Sequence, residues 1–163
     1  MIGTDAPVRE GRRGSSLSVG VRPETQVPAM TRIALALFIV AHGLIHASYF
    51  SPRPAPESGG PAWPFELARS WLLSPLGVPE SVLRPLGVIL AVVAVVAFAM
   101  AGLATLGFIL SIGAWQPFVV VGAVASLSLL ILFFHPWLVL GLAIDAVLMI
   151  AIWQANWSPE GLT

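Results

Sequence analysis

The sequence predicts an all-α integral membrane protein: a bundle of four transmembrane helices, with a short interfacial helix in the first loop and a disordered polar leader. Three observations lead there. Hydrophobic residues make up 57% of the 163-residue chain and charged residues only 10%, with a mean hydropathy of +0.89. That is too little charge to cover the surface of a soluble domain. The run from Ile33 to Phe50 is apolar and near the ~20 residues a bilayer core requires. From Pro85 to Trp157 the chain is almost unbroken hydrocarbon, enough for three further spans of ~20 residues joined by short turns.

The same composition excludes several functions. Net charge is zero and every basic residue is Arg, so no cationic face points to nucleic acid. There is no Cys, which removes disulfides, thiolate metal sites, Fe–S clusters and any catalytic thiol. Phosphate-binding loops, HExxH, GxSxG and paired intramembrane carboxylates are missing as well. The balance is against an enzyme.

In chain order, residues 1–29 form the leader, with Arg9, Arg12, Arg13 and Arg22 among Gly, Ser, Pro and Thr. Such a segment buries too little apolar surface to order itself. Met30-Thr31-Arg32, directly before the apolar run, is an alternative start of the natural chain. The first helix is expected over 31–49 and stops at Ser51-Pro52-Arg53-Pro54-Ala55-Pro56, because proline lacks the N–H a helix needs. The loop of residues 51–83 contains Phe65, Ala68, Trp71 and Leu72 at helical spacing, with Glu66, Arg69 and Ser70 on the other side, the pattern of a short helix lying in the membrane interface. The second helix is expected over 85–106. Pro117 suits the opening of a third over 117–134. His135-Pro136 breaks the chain again, and a fourth follows over 137–156, flanked by tryptophans, with residues 158–163 as a tail.

Five arginines, including Arg32, precede the first helix and three lie in the long loop (Arg53, Arg69, Arg84), so the positive-inside rule places both termini in the cytoplasm. A start at Met30 reverses that bias. Arg in place of Lys and the Ala-, Val-, Gly- and Pro-rich usage suggest a bacterial inner membrane protein. Small residues at Ala94, Ala97, Ala101 and Thr105, at Gly122 and Ser126, and at Gly141 let helices approach closely. Lipid is the expected partner, with a homo-oligomer or larger membrane complex beyond it.

Chemistry is confined to a few polar residues. His42 and His46, one helical turn apart, share a face. Asp145 is the lone acid within a span, and an acid in hydrocarbon needs a partner. His42 lies ~12 Å from the Phe50 end of its helix and Asp145 ~12 Å from the Trp137 end of its own, so an up-down bundle sets them at one depth, with His135 at the nearby rim. Three readings follow. In the first, His42, His46, His135 and Asp145 hold a transition metal (Zn, Fe, Cu or Mn), or His135 with one of the other two ligates haem. In the second, a His–Asp pair exchanges protons in a small transporter or transporter subunit. In the third, His42 bonds Asp145 across the bundle as structural glue in an accessory membrane subunit. Ser48 and Tyr49 are candidate supporting donors for any of these, and Ser126 or Ser128 with a histidine is a candidate hydrolase pair.

The His42-Gly43 pair resembles the opening span of DoxX-type four-helix bacterial membrane proteins, in which a basic residue follows soon after. His46 stands near where that family has Lys, so the resemblance implies the four-span plan and no residue roles.

Overall fold

The computed structural model describes residues 29–52 and 63–154. Over these residues the protein is helical without strands: α1 (Ala29–Ile45), α2 (Glu80–Leu106), α3 (Trp115–Leu132) and α4 (Val139–Gln154). With the 3₁₀ turns that adjoin α1, α3 and α4, four helical segments among the described residues are long and apolar enough to cross a membrane. The expected leader, the tail and Trp157 lie outside the described residues.

Boundaries differ from the sequence reading in ways that proline placement explains. The first span tightens to a 3₁₀ turn at His46–Phe50 before Pro52. α2 begins at Pro79-Glu80, ahead of the expected Pro85. Pro85 is accommodated in the second turn, where it forfeits one backbone hydrogen bond. Glu80 compensates by favouring the helix N-terminus and pairing with Arg84 at 2.7 Å. α3 begins at Trp115, two residues before Pro117, after a 3₁₀ turn at Ile112–Ala114. A similar turn at Pro136–Leu138 opens α4, with His135 extended as the residue before proline prefers.

The interfacial helix is not formed. Within 63–79 the backbone is irregular, apart from a turn and a 3₁₀ segment at Ser74–Leu76. Leu67 and Ser70 are its buried residues, while Trp71 and Leu72 of the expected apolar face are exposed. The reason lies at the end of α3, whose last carbonyls have no partner in their own helix. The Ser70 hydroxyl donates to Leu132 O and the Trp71 indole N–H to Ile131 O, both at 2.6 Å. The loop therefore folds upward as a cap.

α2 is the centre of the bundle, packed along α1 and α3, while α4 lies against α3 and is the least enclosed span. Ala94, Ala97, Ala101 and Thr105 are all buried on α2. At the opposite end from the loop cap, the Arg32 guanidinium donates to Thr105 O at 3.0 and 3.3 Å, capping the end of α2 where Gly107 turns left-handed at φ 67°. The backbones of α1 and α4 hardly approach one another. Side chains close that seam.

Candidate functional site

The closing side chains are His42 and His46 from α1 and the turn after it, Ser126 from α3 and Asp145 from α4. All four are buried, and Ser126 and Asp145 have no exposed surface. His42 Nε2 bonds Asp145 Oδ1 at 2.8 Å. Ser126 Oγ forms a very short bond with Asp145 Oδ2 and a second, at 2.7 Å, with His46 Nε2. His46 Nδ1 faces Gly43 O at 3.2 Å, across one helical turn. The result is a continuous chain, His42–Asp145–Ser126–His46–Gly43 O.

Packing fixes the two imidazoles. Phe98 of α2, fully buried, meets the His42 ring edge-on at 5.0 Å and lies 6.4 Å from the His46 ring. Two glycines make room for it. A Cβ on Gly43 would stand 2.6 Å from Phe98 Cβ, and one on Gly122 would stand 3.1 Å from the ring. Glycine at position 43 is thus required by the close approach of α1 and α2 beside the histidines, and its carbonyl orients one of them.

Donor and acceptor accounting limits the protons. Gly43 O can only accept, so His46 Nδ1 carries hydrogen. With His42 as its Nε2–H tautomer, Nε2 donates to Asp145 Oδ1. Two arrangements then satisfy every bond in the chain. In one, a protonated Asp145 donates to Ser126, whose hydroxyl donates to a neutral His46 Nε2. In the other, Ser126 donates to the Asp145 carboxylate and an imidazolium His46 donates to Ser126. They interconvert when the Asp145 proton passes to Ser126 Oγ as the serine's own proton passes to His46 Nε2. Neither ring turns, and total charge is unchanged.

The remaining sequence candidates fall elsewhere. His135 sits at the connection before α4: its Nδ1 accepts from Trp137 N–H at 3.2 Å and its ring meets the Trp137 ring, with no bond to the cluster. Among the described residues no three of His, Asp and Glu are grouped to hold a metal ion, so the four-ligand set is not assembled. Ser48 offers its carbonyl to Ser51 N–H at 3.2 Å and does not reach the histidines. Tyr49 is buried against Phe65, and its hydroxyl has no hydrogen-bond partner. Ser126 is not arranged as a nucleophile, because the acid bonds the serine itself while the backbone, not an acid, holds Nδ1 of its histidine. Ser128 bonds back to Val124 O. Gly141 lies beside Leu130 on the wall of a cleft between α1 and α4.

The sequence assigns Ser126 to helix packing, with a hydrolase pair as the alternative, and the structure makes it the central link. The signal was available in depth, since Ser126 stands as far from Phe134 as His42 does from Phe50.

Comparison with protein-family models, curated proteins and solved structures finds no match. The likeness at His42-Gly43 therefore brings no residue roles with it.

Proposed function

We propose that this protein is a small accessory membrane protein, without hydrolytic activity, whose buried cluster passes a proton between Asp145 and His46. The observation that carries this reading is the chain itself: Ser126 stands between acid and base, and both proton arrangements keep every bond made. Structural glue alone needs only the His42–Asp145 bond. A second, serine-bridged histidine is unnecessary for joining helices and useful for moving a proton.

The cluster serves the glue reading too, because it joins α4 to α1 where their backbones stay apart. We place the protein in a bacterial inner membrane with cytoplasmic termini, supported by the arginine bias ahead of α1. The cluster then lies in the outer half of the bilayer. The exposed apolar side chains of α2 and α4, such as Ile89, Val96, Leu140 and Val147, suit lipid or the helices of a second copy or larger complex.

Variable-temperature infrared spectroscopy of the protein in nanodiscs tests the reading. A buried carboxyl band, sensitive to deuteration and lost in Asp145→Asn, should fall as the imidazolium ring bands of His46 rise, and the reverse, when temperature shifts the internal equilibrium. A carboxyl group held in one protonation state over the whole range in which the protein stays folded would overturn proton handling and leave a helix joint.

A further inference from the structure

Beside the cluster, between α1 and α4, lies a cleft of about 130 Å³. His42, His46 and Tyr49 form its inner wall, and Ile45, Trp137 and Leu140 stand on its rim. We propose that this cleft binds a neutral, single-ring molecule carrying one hydroxyl group, a phenol in chemical class, which arrives sideways from the lipid. The proposal goes beyond proton handling and does not depend on it.

Four observations carry it. The first is size: an engineered apolar cavity of about 150 Å³ in another protein accepts benzene, so this volume suits one ring and little more. The second is a buried hydroxyl without a partner. Tyr49 is 7% exposed and its hydroxyl, able to donate and accept, is the one buried side-chain polar atom without a partner among the described residues. A buried hydroxyl is rarely left unpaired, and a ligand oxygen would satisfy it. The third is the lack of a free charge on the wall. Asp145 is not part of the lining, both nitrogens of His46 are engaged and His42 is bonded through Nε2, which favours a neutral guest over an ion. The fourth is the rim: Ile45, Trp137 and Leu140 are 54%, 67% and 71% exposed. In a membrane-spanning bundle, such exposed apolar side chains meet acyl chains, so the opening faces the solvent in which a phenol concentrates.

Tyr49 and Phe65 also line a larger cavity on their far side, of about 690 Å³, together with Glu66, Glu80 and Arg84. That space is more polar and too large to define one ring. The inner cleft is the site assigned, and a rim substitution separates the two.

Tyr49 is the chain's single tyrosine, so ring labelling at Cζ gives one carbon resonance that reports its hydroxyl. The experiment titrates 4-fluorophenol into the full-length protein in nanodiscs, following that resonance and the fluorine signal of the probe. The expected result is a saturable shift of the tyrosine resonance. Tyr49→Phe, which removes a hydroxyl with no protein partner, should weaken binding roughly tenfold, the order of one neutral hydrogen bond. Fluorobenzene should bind wild type and Tyr49→Phe alike. Ile45→Trp, which fills the cleft from its lipid side, should abolish the saturable component. A shift that grows without saturation, as for partition into bare nanodiscs, would overturn the proposal, and so would binding that survives Ile45→Trp. Neither result alters the Asp145 carboxyl band, so failure here is distinct from failure of proton handling.

Discussion

Two seams of the bundle, α2 with α3 and α4 with α1, are built by opposite means. Towards α2 the helices pack closely over small residues, with Ala94, Ala97 and Ala101 buried and Gly122 admitting the Phe98 ring. Across the bundle from α4 to α1 the backbones stay apart, and His42, Ser126, His46 and Asp145 span the gap. Lipid is as apolar as a leucine side chain, so helices in a bilayer associate through close packing or through hydrogen bonds. The first seam uses packing, which has one state. The second uses hydrogen bonds, which can hold a proton in more than one place, and the proposed proton transfer lies there.

Phe98 belongs to both seams, so its loss should cost most. Phe98→Ala is expected to destabilise the bundle by about 3–5 kcal/mol through the cavity it leaves, measured by denaturant unfolding in mild detergent. It should loosen the histidines as well. Asp145→Ala acts on the second seam alone, leaving His42 and Ser126 without their shared acceptor, and should cost about 3 kcal/mol. Hydrogen exchange sharpens the contrast, because α4 amides should exchange faster while α2 amides keep their protection. Equal loosening of α2 and α4 would break the distinction between the seams.

Ser126→Ala removes the bridge and keeps the His42–Asp145 bond. Its expected cost is about 1–2 kcal/mol, with the fold retained and the coupling between acid and histidine bands lost. His135→Ala should be the smallest change, within about 0.5 kcal/mol, because His135 touches neither seam's polar contacts and bonds only within its own connection. A large effect on the Asp145 band from that variant would draw His135 back into the site.

Much of this architecture is legible in the sequence because membrane helices leave coarse signals. Apolar runs and the breaks at Pro52 and His135-Pro136 give four spans, and counting residues from the span ends sets His42 and Asp145 at one depth. The misreadings have local causes. Phe65, Ala68, Trp71 and Leu72 have helical spacing, yet their segment is claimed by the unpaired carbonyls of Ile131 and Leu132, a demand created by tertiary structure. Depth counting brings His135 to the rim but cannot say which way it points, and its own turn captures it. Ser126 resembles any small packing residue until His46 and Asp145 are set on either side of it.

The most direct test of the proton chain is nitrogen-15 spectroscopy of the three histidines, comparing wild type with Asp145→Asn. In the variant, the asparagine amide donates to Ser126, so Ser126 must donate to His46. His46 should then be fixed as the neutral tautomer with hydrogen on Nδ1 and a bare Nε2. In wild type, Nδ1 should stay protonated, and the share of His46 with a proton on Nε2 should rise as the Asp145 carboxyl band falls. A wild-type His46 with hydrogen on Nε2 and a bare Nδ1 would contradict the account, because Gly43 O would then face a lone pair and the chain from Asp145 to His46 could not run.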